Sequence, residues 1–550
     1  MTIHGRVLVS LAACALATGA ALAQPADLDM VNRIRAEALE RSQVMEIARE
    51  LTDRLGPRLT GSPAMKRANE WTRDRMSEWG LSRARLDAYE FGEGWSYSKV
   101  QARMVAPESK PLEALPKGWT VGTGGVVRGE AVRVTLAKPE DLEEQKGKLA
   151  GKVVLLDGFR GESEAENRPG PMRTDDFERW SPERLADLAE FDIREPRGES
   201  WRARARKRVG FSKQLAEFLV AEGVIATIEL SSRDHGIVRV GGEAANRDAA
   251  RPRGVPGLVM AAEPYQRLLR LLEDGASVEL ELEVETAFHG EDPSSYNTLA
   301  ELPGTDKKSE LVMAGAHLDS WHAGTGATDN AAGVAVVMEA VRILKAIGAK
   351  PRRTIRVALW SGEEQGLLGS RDYVERYVAS RPETTDPEEL KLPKGLREET
   401  WPLTPKPEHS KISAYFNLDN GGGRIRGIYT QGNVAVAPVF AGWLAPLEDL
   451  GATTVTNEST GSTDHVPFDR VGVPAFQFIQ DPLDYFGRTH HTDLDTFEHL
   501  NREDLVQSSI VMATFLWQAA NREELLPRKP FPTEPPKRDK PAAGSDATAR

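Results

Sequence analysis

The chain has 550 residues, more than one ordinary domain holds, and its 40% hydrophobic, 28% charged composition is that of a globular protein with sizeable cores. A formal net charge of −12 argues against nucleic acid as a partner, because phosphate backbones call for a basic surface. Beyond the N-terminus no run reaches the roughly 18 apolar residues that a membrane span requires.

Arg6 precedes an apolar run from Val7 to Leu22 that closes on Ala21-Leu22-Ala23. This is the pattern of an export signal over residues 1–23, cut between Ala23 and Gln24, and it predicts a secreted or periplasmic protein. Leu11-Ala12-Ala13-Cys14 also fits a lipoprotein signal, which would anchor the chain through a lipid on Cys14; the apolar run continues well past Cys14 and favours simple secretion. Cys14 is the sole cysteine, so the mature chain has neither a disulfide framework nor a thiolate nucleophile. Any metal must then be held by nitrogen and oxygen.

Apolar residues at helical spacing, through Val44, Ile47, Ala48 and Leu51, predict helix over 28–55, stopped by Gly56-Pro57. Thr60-Gly61-Ser62-Pro63 reads as a turn into another helix that runs to about Trp79. From residue 118 the texture changes to short strands at Ala131–Leu136, Lys152–Leu156, Ile225–Leu230 and Val278–Val284, with a helix at Lys213–Glu222 before the third. Glu162–Arg208, rich in charge and turn residues, reads as surface loop. After Asn297 strands and helices alternate, as in an α/β domain. Its strands are expected at Leu311–Ala316, Thr354–Trp360, Ser413–Leu418 and Pro474–Ile479, with a buried helix at Ala331–Leu344. Residues 381–411 form a Pro/Glu/Lys-rich insertion, and the Pro-rich tail after Leu526 is expected to be disordered.

Polar residues follow the ends of these strands. The first runs into His317-Leu318-Asp319, the second into Glu363-Glu364 and the third into Asp419. Ligands of open α/β sheets gather at the carboxyl ends of strands, so these groups can converge although far apart in sequence. Asp329 follows a Gly-rich loop just before the buried helix, and His490-His491 come later. Taken singly, each has an ordinary reading: Asp329 as a helix cap, Glu363 and Glu364 as a solvated helix start, His317 as a satisfied histidine, Asp419 as a turn residue. Together they are harder to dismiss, because adjacent carboxylates buried at a strand end need a cation. A pair of Zn²⁺ ions would supply it, with one Glu binding metal and the other taking a proton from water. H-E-x-x-H, G-x-S-x-G and phosphate-loop motifs are absent from the sequence.

With these residues the chain resembles metallopeptidase family 28, the double-zinc aminopeptidases and glutamate carboxypeptidases, and within it the plasma glutamate carboxypeptidase branch. Leu51 to Ser62 is similar to the family's N-terminal motif. Gly315 to Trp321, Trp360 to Gly366 and His491 to Thr496 are similar to its catalytic signatures. The resemblance implies two Zn²⁺ per chain, with His317 and Asp419 on one, Glu364 and His491 on the other, and Asp329 bridging. It makes Glu363 the general base and Asp319 the carboxylate that orients the His317 imidazole. His490 stands where some aminopeptidases have an oxyanion-supporting Tyr, which leaves the oxyanion donor open. Thr463-Asp464-His465 resembles a segment near the site, read as structural support and not as a third metal ligand.

The implied architecture is an α/β/α sandwich with a mixed sheet and an inserted, β-rich protease-associated domain. Residues 24–117 and 294–526 would form the peptidase domain, 118–293 the insertion and 527–550 the disordered tail. The implied activity is exopeptidase hydrolysis of dipeptides or short peptides, with a homodimer as a candidate assembly. Three alternatives stand beside it: a carboxypeptidase for acidic C-termini, with Arg424 and Arg426 as candidate anchors; a catalytically inactive binding protein of the same fold; and a glutaminyl cyclase.

Overall fold

The computed structural model describes residues 26–157, 178–190, 201–242, 244–392 and 394–535. The expected signal segment, Cys14, most of the 162–208 stretch and the end of the tail lie outside them. Strand β1 (Ser82–Glu90) opens one eight-stranded sheet. The chain then leaves to build a second one from β2 (Gly94–Ala106), β3 (Lys110–Pro111), β4 (Ala114–Pro116), β5 (Val127–Thr135) and β6 (Lys152–Asp157). That sheet is completed by β7 (Ala226–Leu230), β8 (Gly257–Met260) and β9 (Glu279–His289), in the order β3-β2-β9-β5-β6-β7-β8-β4. The chain returns at β10 (Ser294–Leu302), which pairs antiparallel with β1.

The first sheet continues with β11 (Lys307–His317) and β12 (Arg353–Trp360). A two-residue pair, β13 (Ala379–Ser380) and β14 (Thr404–Pro405), brackets the 381–411 insertion. Then follow β15 (Ile412–Asn417), β16 (Ile425–Tyr429), β17 (Thr454–Thr456) and β18 (Ala475–Gln480), giving the order β1-β10-β12-β11-β15-β18-β16-β17. The four central strands β12, β11, β15 and β18 are mutually parallel. Their carboxyl ends therefore share one edge of the sheet.

Parallel strands covered on both faces carry continuous apolar runs, and β11 is one. Val312, Ala314 and Ala316 enter the core formed with the helices Ala332–Ala346 and Arg502–Asn521, while Leu311 and Met313 enter the opposite core with Trp360, Tyr373 and Phe468. Residues Ala332–Leu344 are buried on every side, as an apolar helix between a sheet and other helices must be. The result is the expected α/β/α arrangement around a mixed sheet.

Where 162–208 was expected to be loop, its described residues hold helix at Pro182–Ala189 and from Trp201, where the helix expected at Lys213 already begins and runs to Ala221. Two domain boundaries differ from expectation as well. The second sheet opens at Gly94, not near residue 118, because β2 pairs with β9 from Gly94↔His289 to Ala106↔Glu279. Ser, Lys, Gln and Arg on the open face of β2 hide its strand character from an apolar-run reading. The tail also begins later than expected. Arg528 bonds the carbonyls of His409 and Ile412, and Phe531 packs edge-on to His409, so residues 527–531 lie against the first sheet's domain.

Candidate metal centre

His317 is the last residue of β11 and is buried. Its Nδ1–H faces the backbone carbonyl of Asp319 at 3.0 Å, which turns Nε2 toward Asp329 Oδ1 at 3.2 Å and Asp419 Oδ1 at 3.4 Å. Burial lowers the affinity of this imidazole for a proton, but the charges of Asp419 and Glu363 more than offset that and raise its pKa well above 6.5. Asp329 follows Gly326, whose φ of +63° and contact with Ser320 leave no room for a side chain. Burial would push the Asp329 carboxyl up, yet His317, His491 and His490 together hold it below the usual carboxylate range.

Asp319 acts differently from the expected His317-orienting carboxylate. Its nearer oxygen is 3.7 Å from His317 Nδ1, and the backbone carbonyl does the orienting. The carboxylate instead accepts the N–H groups of Glu363 and Glu364, both at 3.3 Å, and the Thr60 hydroxyl at 2.9 Å. It thereby fixes the turn that carries both glutamates beyond β12. Thr60 also accepts the Gly362 N–H at 3.1 Å, so the N-terminal motif braces the same turn.

His491 brings Nε2 to 3.0 Å from Glu364 Oε2 and 3.4 Å from Asp329 Oδ2. It does so with φ of +65°, an unfavourable backbone state for a non-glycine residue that neighbouring contacts must hold. Those contacts come from the inserted sheet's side: Val240 N–H bonds the His491 carbonyl at 3.0 Å, and Val238 N–H bonds Asp493 Oδ1 at 3.0 Å. Between them Arg239 reaches His490 Nδ1 at 3.4 Å and His491 Nδ1 at 3.3 Å. His490 stacks on His491 with ring centroids 3.8 Å apart, and its Nε2 is 4.0 Å from Asp329 Oδ2. Burial depresses His490 to about 3 and His491 to about 4, so both are neutral and suited to ligate a cation.

Ligating atoms of His317, Asp329 and Glu364 fall within 4.8 Å of one another, and so do those of Asp329, His490 and His491. Asp329 Oδ2 and Glu364 Oε1 are buried without a hydrogen-bond partner among the described residues. Buried carboxylate oxygens are normally satisfied, so this donor set, all nitrogen and oxygen, fits a divalent cation such as zinc. Burial, reinforced by neighbouring carboxylates, raises Glu364 and Glu363 well above 4.5. Every predicted ligand is thus drawn to one sheet edge.

Several participants were not assigned from sequence. Asp495 accepts the Thr328 N–H at 2.6 Å, its hydroxyl at 2.7 Å and the Asp329 N–H at 3.1 Å, anchoring the loop that carries Asp329. Burial pushes it up to about 7. Its alternation with Asp493 in the His491–Thr496 motif was the available signal. Arg239 had none, because its place depends on docking of the insertion. Asp464, by contrast, was expected from the sequence as structural support near the site; it accepts the Ser370 hydroxyl at 2.5 Å, and burial pushes it up to about 7. Arg424 and Arg426 are spoken for: Arg424 pairs with Asp504 at 2.8 Å and Arg426 with Asp481 at 2.9 Å.

Residues 297–516 match the sequence model described as Peptidase family M28. Carboxypeptidase Q of Rattus norvegicus is 25% identical over 480 residues, covering 87% of this chain and 85% of the relative. The crystal structure of a peptidase M28 precursor from Shewanella amazonensis aligns with a TM-score of 0.63 and 26% identity, over 92% of this chain and 99% of that one. BSAP, a zinc aminopeptidase from Bacillus subtilis, shares the fold at a TM-score of 0.53 and 18% identity, over 88% of this chain and 95% of its own.

Proposed function

Since residues 297–516 belong to peptidase family M28 and make this chain a metallo-exopeptidase, we propose that it is a secreted, two-zinc enzyme that hydrolyses dipeptides or short peptides. The observation that carries the metal count is the pair of unsatisfied oxygens on Asp329 and Glu364, flanked by His317 on one side and His491 on the other. His317 and Asp419 would hold one ion, Glu364 and His491 the other, and Asp329 would bridge. When bound, the ions supply Lewis acidity that makes water nucleophilic at neutral pH and polarises the scissile carbonyl.

The protein's own part is proton handling and order. Glu363, raised by burial, is the group expected to take the water proton and deliver it to the leaving amine. Asp319 keeps Glu363 and Glu364 on one turn. His490 and Arg239, which contact His491, are the candidate donors toward a developing oxyanion. The insertion, read as a protease-associated domain, touches the His490–Asp493 segment and would restrict access to short substrates.

The acidic-C-terminus alternative loses its candidate anchors, because Arg424 and Arg426 are neutralised by aspartates. A panel of dipeptides and peptides with free and capped ends, assayed with measurement of zinc per chain, tests the proposal. Cleavage that requires a free terminus and two zincs is expected. Efficient internal cleavage of a folded protein, or pyroglutamate release from an N-terminal Gln peptide without peptide hydrolysis, would overturn it. Asp329→Ala should lower zinc content below two per chain; two fully retained ions would reassign the bridge.

A further inference from the structure

Arg58 belongs to the N-terminal motif and is fully buried. Among the described residues no carboxylate accepts a hydrogen bond from it. Its guanidinium instead bonds backbone carbonyls: Nε to Leu318 at 2.7 Å, Nη1 to Leu51 at 3.0 Å, Gly56 at 3.1 Å and Thr325 at 2.7 Å, and Nη2 to Gly326 at 2.7 Å. Leu318 lies between His317 and Asp319, while Thr325 and Gly326 belong to the loop that delivers Asp329. The backbone of Arg58 is tied in as well, accepting from Ser320 N–H at 3.1 Å and donating to Ser320 Oγ at 3.0 Å.

A buried guanidinium that meets only carbonyls is an unusual arrangement, since buried charges are normally paired. Its compensation comes at longer range from Asp495, Asp319, Asp329 and Glu364. The planar fork also has a geometric consequence, because one rigid group fixes three chain segments relative to one another. Lysine could reach only part of this set.

We propose that Arg58 is a positioning residue for the metal centre: it clips the His317–Asp319 loop to the Asp329 loop and so sets the separation of their ligating atoms. The inference rests on the metal-centre reading. The residue touches neither substrate nor metal, and its effect is carried through Leu318, Thr325 and Gly326.

Arg353 supplies the control. It is equally buried and also binds carbonyls, at Ala519, Arg522 and Glu523, but at the amino end of β12, with Glu310 as its partner at 2.6 Å. Zinc affinity of the metal-stripped full chain, measured by competition with a chromophoric chelator, is compared among wild type, Arg58→Lys and Arg353→Lys. Loss of a supporting partner of this kind weakens metal binding by about 10–100-fold, and that loss is expected for Arg58→Lys alone. At saturating zinc its kcat should fall while KM stays within about twofold. In Arg58→Gly, millimolar guanidinium should restore zinc affinity where methylammonium does not.

Wild-type zinc affinity and kcat in Arg58→Lys would overturn the assignment. So would an equal loss of affinity in Arg353→Lys, which would mark a general effect of stability. If Arg58→Gly does not fold, Arg58→Lys decides alone. Absence of zinc binding by the wild type would strike the metal-centre reading itself and is distinguishable from these outcomes.

Discussion

Strand β12 carries two buried ionic clusters. In its middle, Arg356 bonds Glu301 on the neighbouring strand at 2.7 and 2.9 Å and Glu408 at 2.9 and 3.0 Å, and the Tyr373 hydroxyl closes the set on Glu408 at 2.6 Å. Just past its end, Glu363 and Glu364 lie with Asp329 and Asp419, and Glu364 Oε1 and Asp329 Oδ2 are buried with no donor among the described residues. The first cluster is closed, charge against charge, and has nothing left to bind. The second carries an excess of negative charge and of unsatisfied acceptors. A saturated buried network holds a fold together, whereas an unsaturated one is a receptor for something cationic.

Removing the base at the open cluster should have the largest effect. Glu363→Gln keeps shape and hydrogen-bonding capacity but cannot accept the water proton. Loss of a general base costs on the order of 10²–10⁴ in rate, and here a fall in kcat at or beyond the upper end is expected with both zincs retained. Glu364→Gln should weaken zinc binding directly. If Glu363→Gln lost a zinc and Glu364→Gln kept both, the two roles would be exchanged.

The closed cluster should respond in the opposite currency. Arg356→Gln takes the shared cation from buried Glu301 and half-buried Glu408 and leaves Glu301 only the exposed Arg83 at 3.6 Å, a change worth about 3 kcal/mol, the low end for breaking a buried pair. A clear drop in the thermal midpoint is expected, with zinc per chain unchanged. Loss of zinc at an unchanged midpoint would show that the two clusters are not separate.

The open cluster was largely legible in the sequence, and for a physical reason. Parallel strands buried on both faces are apolar until they end, so His317, the Glu363–Glu364 pair and Asp419 stand out as the first charged groups after such runs. Their meeting follows from the parallel order of β12, β11 and β15. The closed cluster was not legible. Arg356 sits among Ile355, Val357, Ala358 and Leu359 with no local sign that Glu408, beyond the 381–411 insertion, would return to meet it. Arg58 and Arg239 stayed unassigned for a related reason: one is defined by carbonyls, which every residue has, and the other by the docking of a separate sheet. The role of Asp319 was misjudged because spacing cannot tell a carboxylate bonded to His317 from one bonded to the backbone of Glu363 and Glu364.

The smallest effect is expected from pH on the zinc-free protein, because the titrating groups of the open cluster oppose one another. Burial pushes Asp464 and Asp495 up to about 7 and lifts Glu363 and Glu364 well above their ordinary value. Each of these keeps a proton in the folded state at a pH where the unfolded chain has released it, so stability falls as pH rises through that window. His490 and His491, depressed by burial to about 3 and about 4, act the other way: the unfolded chain binds their protons more readily, and stability rises with pH. That rise is complete once the unfolded imidazoles are neutral, about one unit above their ordinary pKa of about 6.5. His317 adds to the fall, since its pKa is raised by Asp419 and Glu363 against the effect of burial, and the stability it supplies is lost as pH climbs through that raised value. Only above about pH 7.5, across about pH 7.5–8.5, do the destabilising titrations act alone. The thermal midpoint of the zinc-free full chain should therefore drop across that interval by at most about 2 °C, because the shift that roughly 1 kcal/mol produces shrinks as a protein grows. The zinc-loaded chain should show no such drop, because bound cations favour the ionised carboxylates at every pH in the interval. A midpoint that rose in the zinc-free protein would mean that the carboxylates beyond β12 are already satisfied without metal, and the contrast with the Arg356 cluster would fail.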